Sequence, residues 1–210
     1  MGNTLSRQTS PRPLSAPGTE RPAAPRDRRL EQEWKLLGQL AQTNPGVLEV
    51  LRRRSLADSD IFEAMIHQTC GILSLARGKP VLARSHRVAF RFPRFFPSVP
   101  IEAVLAKPVF HPNVDPRNGF VCLWTRTSAA DTTMEAARRL QQMIAWKLVN
   151  FEATHVMQPE AVEWARRMSF PAGLALDFTP LVEVESFRRE KSFTARPDAP
   201  FRRRLEPLPG

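Results

Sequence analysis

Apolar residues recur at helical spacing through Leu30, Trp34, Leu37 and Ala41, while Glu31, Lys35 and Gln39 fall on the opposite side. This pattern predicts a first helix, with Asp27 placed to cap its start and Asn44-Pro45-Gly46 placed to stop it. Between residues 47 and 110 the texture changes to short runs of Val, Ile, Leu and Phe. They are broken by Asp58-Ser59-Asp60, by Arg77-Gly78-Lys79-Pro80 and by the proline-dense stretch from Pro93 to Pro100. Four strands follow, near residues 47–53, 61–75, 84–92 and 101–109, with connections short enough for an antiparallel meander. Val88, Phe90 and Phe92 alternate with Ala89 and Arg91, as a half-buried strand requires. After residue 125 the helical period returns. Thr132-Thr133-Met134-Glu135 has the form of a capping box, and Met134, Ala137, Leu140, Ile144 and Leu148 then share one stripe. A shorter helix near 160–168 opens at Pro159 and groups Ala161, Trp164, Ala165 and Met168.

Strands and helices are segregated along the chain rather than alternating, which gives an α+β fold. Residues 1–27 are rich in proline, arginine and serine and read as a disordered tail; residues 28–170 form the one folded domain. Residues 171–210 read as an extension in which Leu174 to Phe178 docks and the part beyond about 190 is disordered.

A chain of 210 residues buries a sufficient core without a disulfide framework, and two cysteines could not supply one. This cysteine usage and the lack of any run of about 20 apolar residues point to the cytoplasm and exclude a membrane span. The net charge of +10 suggests nucleic acid only until it is located. Residues 1–27 carry +2 and residues 186–210 carry +4, and no basic stripe interleaved with aromatics appears in the body. No nucleic-acid partner is expected.

Candidate chemistry concentrates between the last strand and the second helix, in Phe110–Trp124, FHPNVDPRNGFVCLW. Asp115 to Gly119 is turn chemistry, and Cys122 returns among apolar neighbours. A thiol on irregular backbone beside His111 and Asn113 is a nucleophile candidate, because thiolate attacks carbonyls and an amide can donate to the resulting oxyanion. The same residues also suit a small buried hydrophobe in a loop core. Cys70, three positions after His67, reads as a core or strand-edge thiol. Four histidines and two cysteines show no metal-ligand spacing.

Two motifs in this order resemble the ubiquitin-conjugating enzymes. Phe92-Pro93-Arg94-Phe95-Phe96-Pro97-Ser98-Val99-Pro100 is similar to that family's F-P-x-x-Y-P-x-x-P signature. His111-Pro112-Asn113 followed by Gly119-Phe120-Val121-Cys122-Leu123 is similar to its H-P-N and active-site cysteine. The resemblance spans about residues 28–168 and implies an N-terminal helix, a four-stranded antiparallel meander, an active-site loop and C-terminal helices. The L-V-N and H-V-M-Q-P-E-A segments further resemble conjugating-enzyme-like proteins of bacterial ubiquitin-like modification operons, including antiphage defence systems.

What the resemblance implies is acyl transfer. Cys122 would take the C-terminal acyl group of a ubiquitin-like protein from an activating enzyme and yield it to an amine of an acceptor protein, lysine foremost. The chain would need no cofactor, ATP being used by the activating enzyme. Asn113 would stabilise the oxyanion or hold the active-site loop, and His111 would order backbone. Asp131, Glu152 and His155 are candidates for assisting deprotonation of the incoming amine. Arg28, Arg29 and Lys35, on the exposed side of the first helix, would meet the activating enzyme. Ser98 stands where many family members place a large apolar residue, and no W-S-P segment follows the cysteine, so a RING-type ligase partner is not implied. Two rival readings stay open: a cysteine hydrolase pairing Cys122 with His155 or His111, and a noncatalytic scaffold that binds ubiquitin-like proteins. An imidazole within hydrogen-bond reach of the sulfur is what the hydrolase needs.

Overall fold

A computed structural model describes residues 24–170 and 176–185. The tail expected before residue 24 and the disorder expected beyond 190 lie outside the described residues. The first helix, α1, runs Pro25–Thr43. It starts two residues before the expected Asp27 cap because Pro25 occupies its first turn, where a missing N–H costs nothing and a fixed φ favours the helix. Asp27 sits in that first turn instead, so residues 25–27, expected in the tail, are helical. The strands are β1 Leu48–Ser55, β2 Ser59–Ile66, β3 Gly71–Ala76, β4 Lys79–Ala83, β5 His86–Pro93, β6 Glu102–Leu105 and β7 Phe120–Val121. Helices α2, Thr133–Ile144, and α3, Pro159–Arg167, follow.

The sheet departs from the four-stranded expectation in two ways. Five antiparallel strands lie in the order β1-β2-β5-β6-β7, and β3 pairs with β4 as a separate two-stranded hairpin. The run expected as one strand over 61–75 is two strands, interrupted at Gln68, whose φ is +50°. Its apolar residues serve different cores on either side of that break. Phe62, Ala64 and Ile66 join a cluster with Val88, Phe90 and Phe92 of β5 and with Leu30, Leu37 and Leu40 of α1 and Met134, Ala137 and Leu140 of α2. Cys70 and Ile72 instead join Trp146, Trp164, Ala161 and Ala165. Cys70 lies in the connection before β3, buried, with its N–H donating to the carbonyl of Asp177.

Helix α2 is capped by the Thr132 hydroxyl, which accepts from the N–H of Glu135, and ends at Ile144. Leu148, expected on its stripe, lies beyond it, past Trp146 with φ +56°. Met168 likewise follows the end of α3 and is exposed rather than packed with Trp164. The two principal helices are joined by a carboxylate that the apolar pattern did not reveal. Glu33, buried, accepts from the N–H and hydroxyl of Thr133 at 2.7 and 2.8 Å and from Arg29 at 2.8 Å. Arg29 also donates to the carbonyl of Asp131 and lies over the Phe96 ring. Its guanidinium is therefore held by Glu33 and the Asp131 carbonyl and only partly exposed, whereas Arg28 and Lys35 occupy exposed positions. Beyond the core, residues 176–185 cross the molecule as a strap. Asn44 brackets Val182 through both side-chain amide atoms, and Gln141 accepts from the N–H of Leu181.

On the outer sheet face Glu63 is enclosed by Arg52, Arg54 and Arg87. The hydrogen bond from Arg87 leads in holding its carboxyl down to about 2, against a smaller opposing push from burial.

Candidate active site

The Cys122 loop is a narrow hairpin whose ends are ladder partners. Val114 bridges Val121, the N–H of Asp115 donates to the Phe120 carbonyl, and the N–H of Cys122 donates to the Asn113 carbonyl at 2.9 Å. The nine-position separation between Asn113 and Cys122 is therefore closed by pairing across the turn. Gly119 makes that turn: its φ is +75°, and a Cβ there would lie 2.0 Å from the Leu105 carbonyl oxygen. Since the Leu105 N–H also donates to the Gly119 carbonyl, the loop is fixed to β6 at that point.

A second segment, residues 148–158, is laid against this hairpin by side chains that reach across the chain. His111 is fully buried; its Nδ1 accepts from the Asn113 N–H and its Nε2 faces the Leu148 carbonyl at 3.2 Å. This arrangement assigns the proton to Nε2 and leaves no nitrogen for acid–base work. Asn113, also fully buried, donates through Nδ2 to the carbonyls of Asn150 and His155 at 2.6 and 2.9 Å, and accepts through Oδ1 from the Asn150 N–H at 2.8 Å. Both amide hydrogens are committed, so the oxyanion role expected for Asn113 has no free donor here, whereas holding the loop is what the amide does. Gln158, which sequence reasoning missed, donates to the carbonyls of Val109 and Val114, and the Pro112 carbonyl accepts from the N–H groups of Met157 and Gln158.

These anchors bring His155 to Cys122. Residues Ala153–His155 form one turn of 3₁₀ helix, whose threefold repeat stacks Glu152 and His155 on the same edge. His155 Nδ1 lies 3.0 Å from Cys122 Sγ, and its Nε2 lies 3.5 Å from a Glu152 carboxylate oxygen. A thiol proton on Sγ requires Nδ1 bare and Nε2–H directed at Glu152. Burial pushes the Cys122 thiol up from its ordinary range, which favours the protonated sulfur, and His155 Nδ1 lies within reach of that proton. Asp131 is not part of this group: its carboxylate accepts from the Ser128 N–H at the start of the turn before α2.

Cys122, half-buried, opens on a cavity of about 270 Å³. Leu123, Met143 and Leu148 give it apolar walls, and the ionisable side chains among its lining residues are Cys122, Arg139 and Glu152. Arg139 is held by the Leu123 carbonyl and lies over the Trp124 ring. Among the described residues no group of three or more histidine, cysteine or acidic side chains is placed to hold a metal, and no helix is long and apolar enough to cross a membrane.

The buried histidines make stability depend on pH. Desolvation lowers His111 from 6.5 to about 3, against a smaller opposing hydrogen bond to Leu148, and desolvation also lowers His86. A histidine lowered in the fold is protonated more readily in the unfolded chain, so its contribution is present above 6.5 and is lost as pH falls towards 3. From pH 7 to pH 5, His111 alone removes about 2 kcal/mol. Urea unfolding at the two pH values should show that loss, and the His111 ring resonances should not titrate between them.

No protein-family model matches the sequence, and no curated protein matches it. Among solved structures the chain is similar to one described as "Ubiquitin conjugating enzyme (putative) from Trypanosoma cruzi", with 13% identity over 68% of this chain and 91% of that one and a TM-score of 0.47.

Proposed function

We propose that this chain is a ubiquitin-conjugating-type acyl carrier. Cys122 accepts the C-terminal acyl group of a ubiquitin-like protein from an activating enzyme that consumes ATP, holds it as a thioester, and passes it to a lysine amine of an acceptor protein. The observation that supports this most is the placement of Cys122, half-buried at the mouth of a cavity on a hairpin pinned by Gly119 and Asn113. The paired motifs around Phe92–Pro100 and His111–Leu123 point the same way. On this reading exposed Arg28 and Lys35 of α1 meet the activating enzyme, and no RING-type ligase is required. The L-V-N and H-V-M-Q-P-E-A segments favour a place in a bacterial ubiquitin-like modification operon of the antiphage kind, acting in the cytoplasm.

The contact of 3.0 Å between Cys122 Sγ and His155 Nδ1 favours a second reading, a cysteine hydrolase. The two differ in what becomes of the acyl group. A hydrolase uses the imidazole to ionise the thiol, so His155→Ala slows acylation by about 100-fold or more. A carrier's thiol must ionise too, so His155→Ala slows loading, but a carrier does not hydrolyse its own thioester and the adduct still accumulates to the same final level. Incubation with ATP, activating enzyme and modifier, followed by non-reducing electrophoresis, separates them: the carrier reading predicts a thiol-labile band of undiminished yield in the variant.

A further inference from the structure

Handing a thioester to a lysine does not need the Cys122, His155 and Glu152 alignment. A lysine amine becomes a nucleophile by losing its proton to solvent beforehand, and the small neutral fraction then attacks unaided. A hydroxyl ionises too weakly for that route, and a base must take its proton while the new bond forms. His155 is placed for this second case. In the resting protein Nδ1 faces the thiol at 3.0 Å; once Sγ is acylated it carries no proton, and the Nδ1 lone pair is left facing the thioester. Glu152, 3.5 Å from Nε2, favours the tautomer this requires and stabilises the imidazolium that forms.

The cavity adds an independent argument from charge. A lysine approaches as an ammonium ion, and a site that receives it benefits from an unengaged carboxylate. The one carboxylate among the lining residues is Glu152, which is turned to His155, and the cation Arg139 shares the same cavity. With one cation and one carboxylate among the described lining residues, an ammonium ion gains no net attraction there, and a neutral hydroxyl needs none.

Building on the acyl-carrier reading, we propose a second acceptor class: the hydroxyl of a serine or threonine on the acceptor protein, with His155 as general base. As the acceptor oxygen adds to the thioester carbonyl carbon, its proton passes to Nδ1. The C–S bond then breaks, and the departing Sγ takes the proton from Nδ1. The products are an oxygen ester and the free thiol of Cys122.

The test uses the full chain and a glycine-ended peptide carrying a mercaptoethanesulfonate thioester, which loads Cys122 by thiol exchange. The loaded protein is chased with N-acetyl-serinamide or with N-acetyl-lysinamide, and ester, amide and free acid are measured by mass spectrometry. We expect the wild type to form the serine ester. We expect His155→Ala to load more slowly but to the same final level, to lose ester formation by about 100-fold and to lose amide formation by a far smaller factor. His155→Gln, which keeps a polar side chain of similar reach, should behave alike, and unchanged melting of either variant excludes misfolding as the cause. Three outcomes overturn the inference. If no ester forms above background, or if both acceptors slow equally in the variants, His155 is not a base for hydroxyls. If His155 accelerates only release of free acid, water is the acceptor and the hydrolase reading takes over. If the peptide never loads although iodoacetamide alkylates Cys122, the carrier reading itself fails, and this inference fails with it.

Discussion

Replacing Cys122 with alanine is expected to abolish acyl transfer, a loss of about 10⁴-fold or more, while changing stability by less than about 1 kcal/mol. The two expectations rest on different features of one side chain. Chemically, Cys122 supplies the attacking atom, and neither His155 nor Asn113 can take over: the first has a nitrogen suited to moving a proton, and the second has both donors committed to backbone. Structurally, Cys122 is only half-buried, and its hold on the hairpin is a backbone bond to Asn113 that alanine keeps. Its thiol contacts His155, which is partly exposed and keeps Glu152 beside its other nitrogen, so removal leaves no unpaired polar group in the core. Cys122→Ser provides the complementary result. If it accepts an acyl group at all, the adduct is an oxygen ester that survives thiol treatment, whereas the wild-type adduct does not. Intact mass before and after reductant distinguishes the two.

Asn113→Ala is expected to lower stability by about 3 kcal/mol and to reduce transfer to a hydroxyl acceptor, the step that uses His155, by at least about 30-fold. The amide makes three hydrogen bonds to the backbone of Asn150 and His155, and its removal strands two carbonyls and one N–H beside a buried position. Residues 150–155 then open towards water, carrying His155 away from Cys122. The prediction separates the two roles that the sequence left open for Asn113. An oxyanion donor would leave the melting midpoint unchanged and lower only the rate. A clamp lowers both, and Asn113→Asp does not restore it, because a carboxylate can still accept from Asn150 but repels both carbonyls that the amide had served. Thermal melting and single-turnover transfer, measured on the same preparations, give the answer.

The helices were legible because their evidence is local. Periodicity at Leu30 and Leu37, and at Met134, Ala137 and Leu140, marks the faces that α1 and α2 bury, and the Thr132 cap lies next to the segment it starts. The sheet was legible only in outline. A continuous apolar run cannot tell one long strand from two short ones serving different cores, and the break at Gln68 leaves no mark in hydropathy. At the site, Cys122 and its turn could be read from adjacent residues, but the roles of its neighbours could not. Asn113 and His111 are defined by partners 37 to 42 positions away, in a segment whose path depends on the whole fold. The same distance explains why Glu152 and His155 could be proposed alongside Asp131 without being distinguished from it. The position of Glu33 was hidden for a further reason: a charge at a helix position ordinarily marks the solvent side, and here it is buried to receive the start of α2.

The central claim is that Cys122 carries an acyl group as a thioester. Its most direct test is the intact mass of the wild-type chain after incubation with an activating enzyme already charged with its modifier, followed by peptide mapping. The account predicts a mass gain equal to the modifier less one water, located on the peptide containing Cys122 and removed by hydroxylamine or excess thiol. A charged activating enzyme that leaves the mass of this chain unchanged, while iodoacetamide still alkylates Cys122, would contradict it.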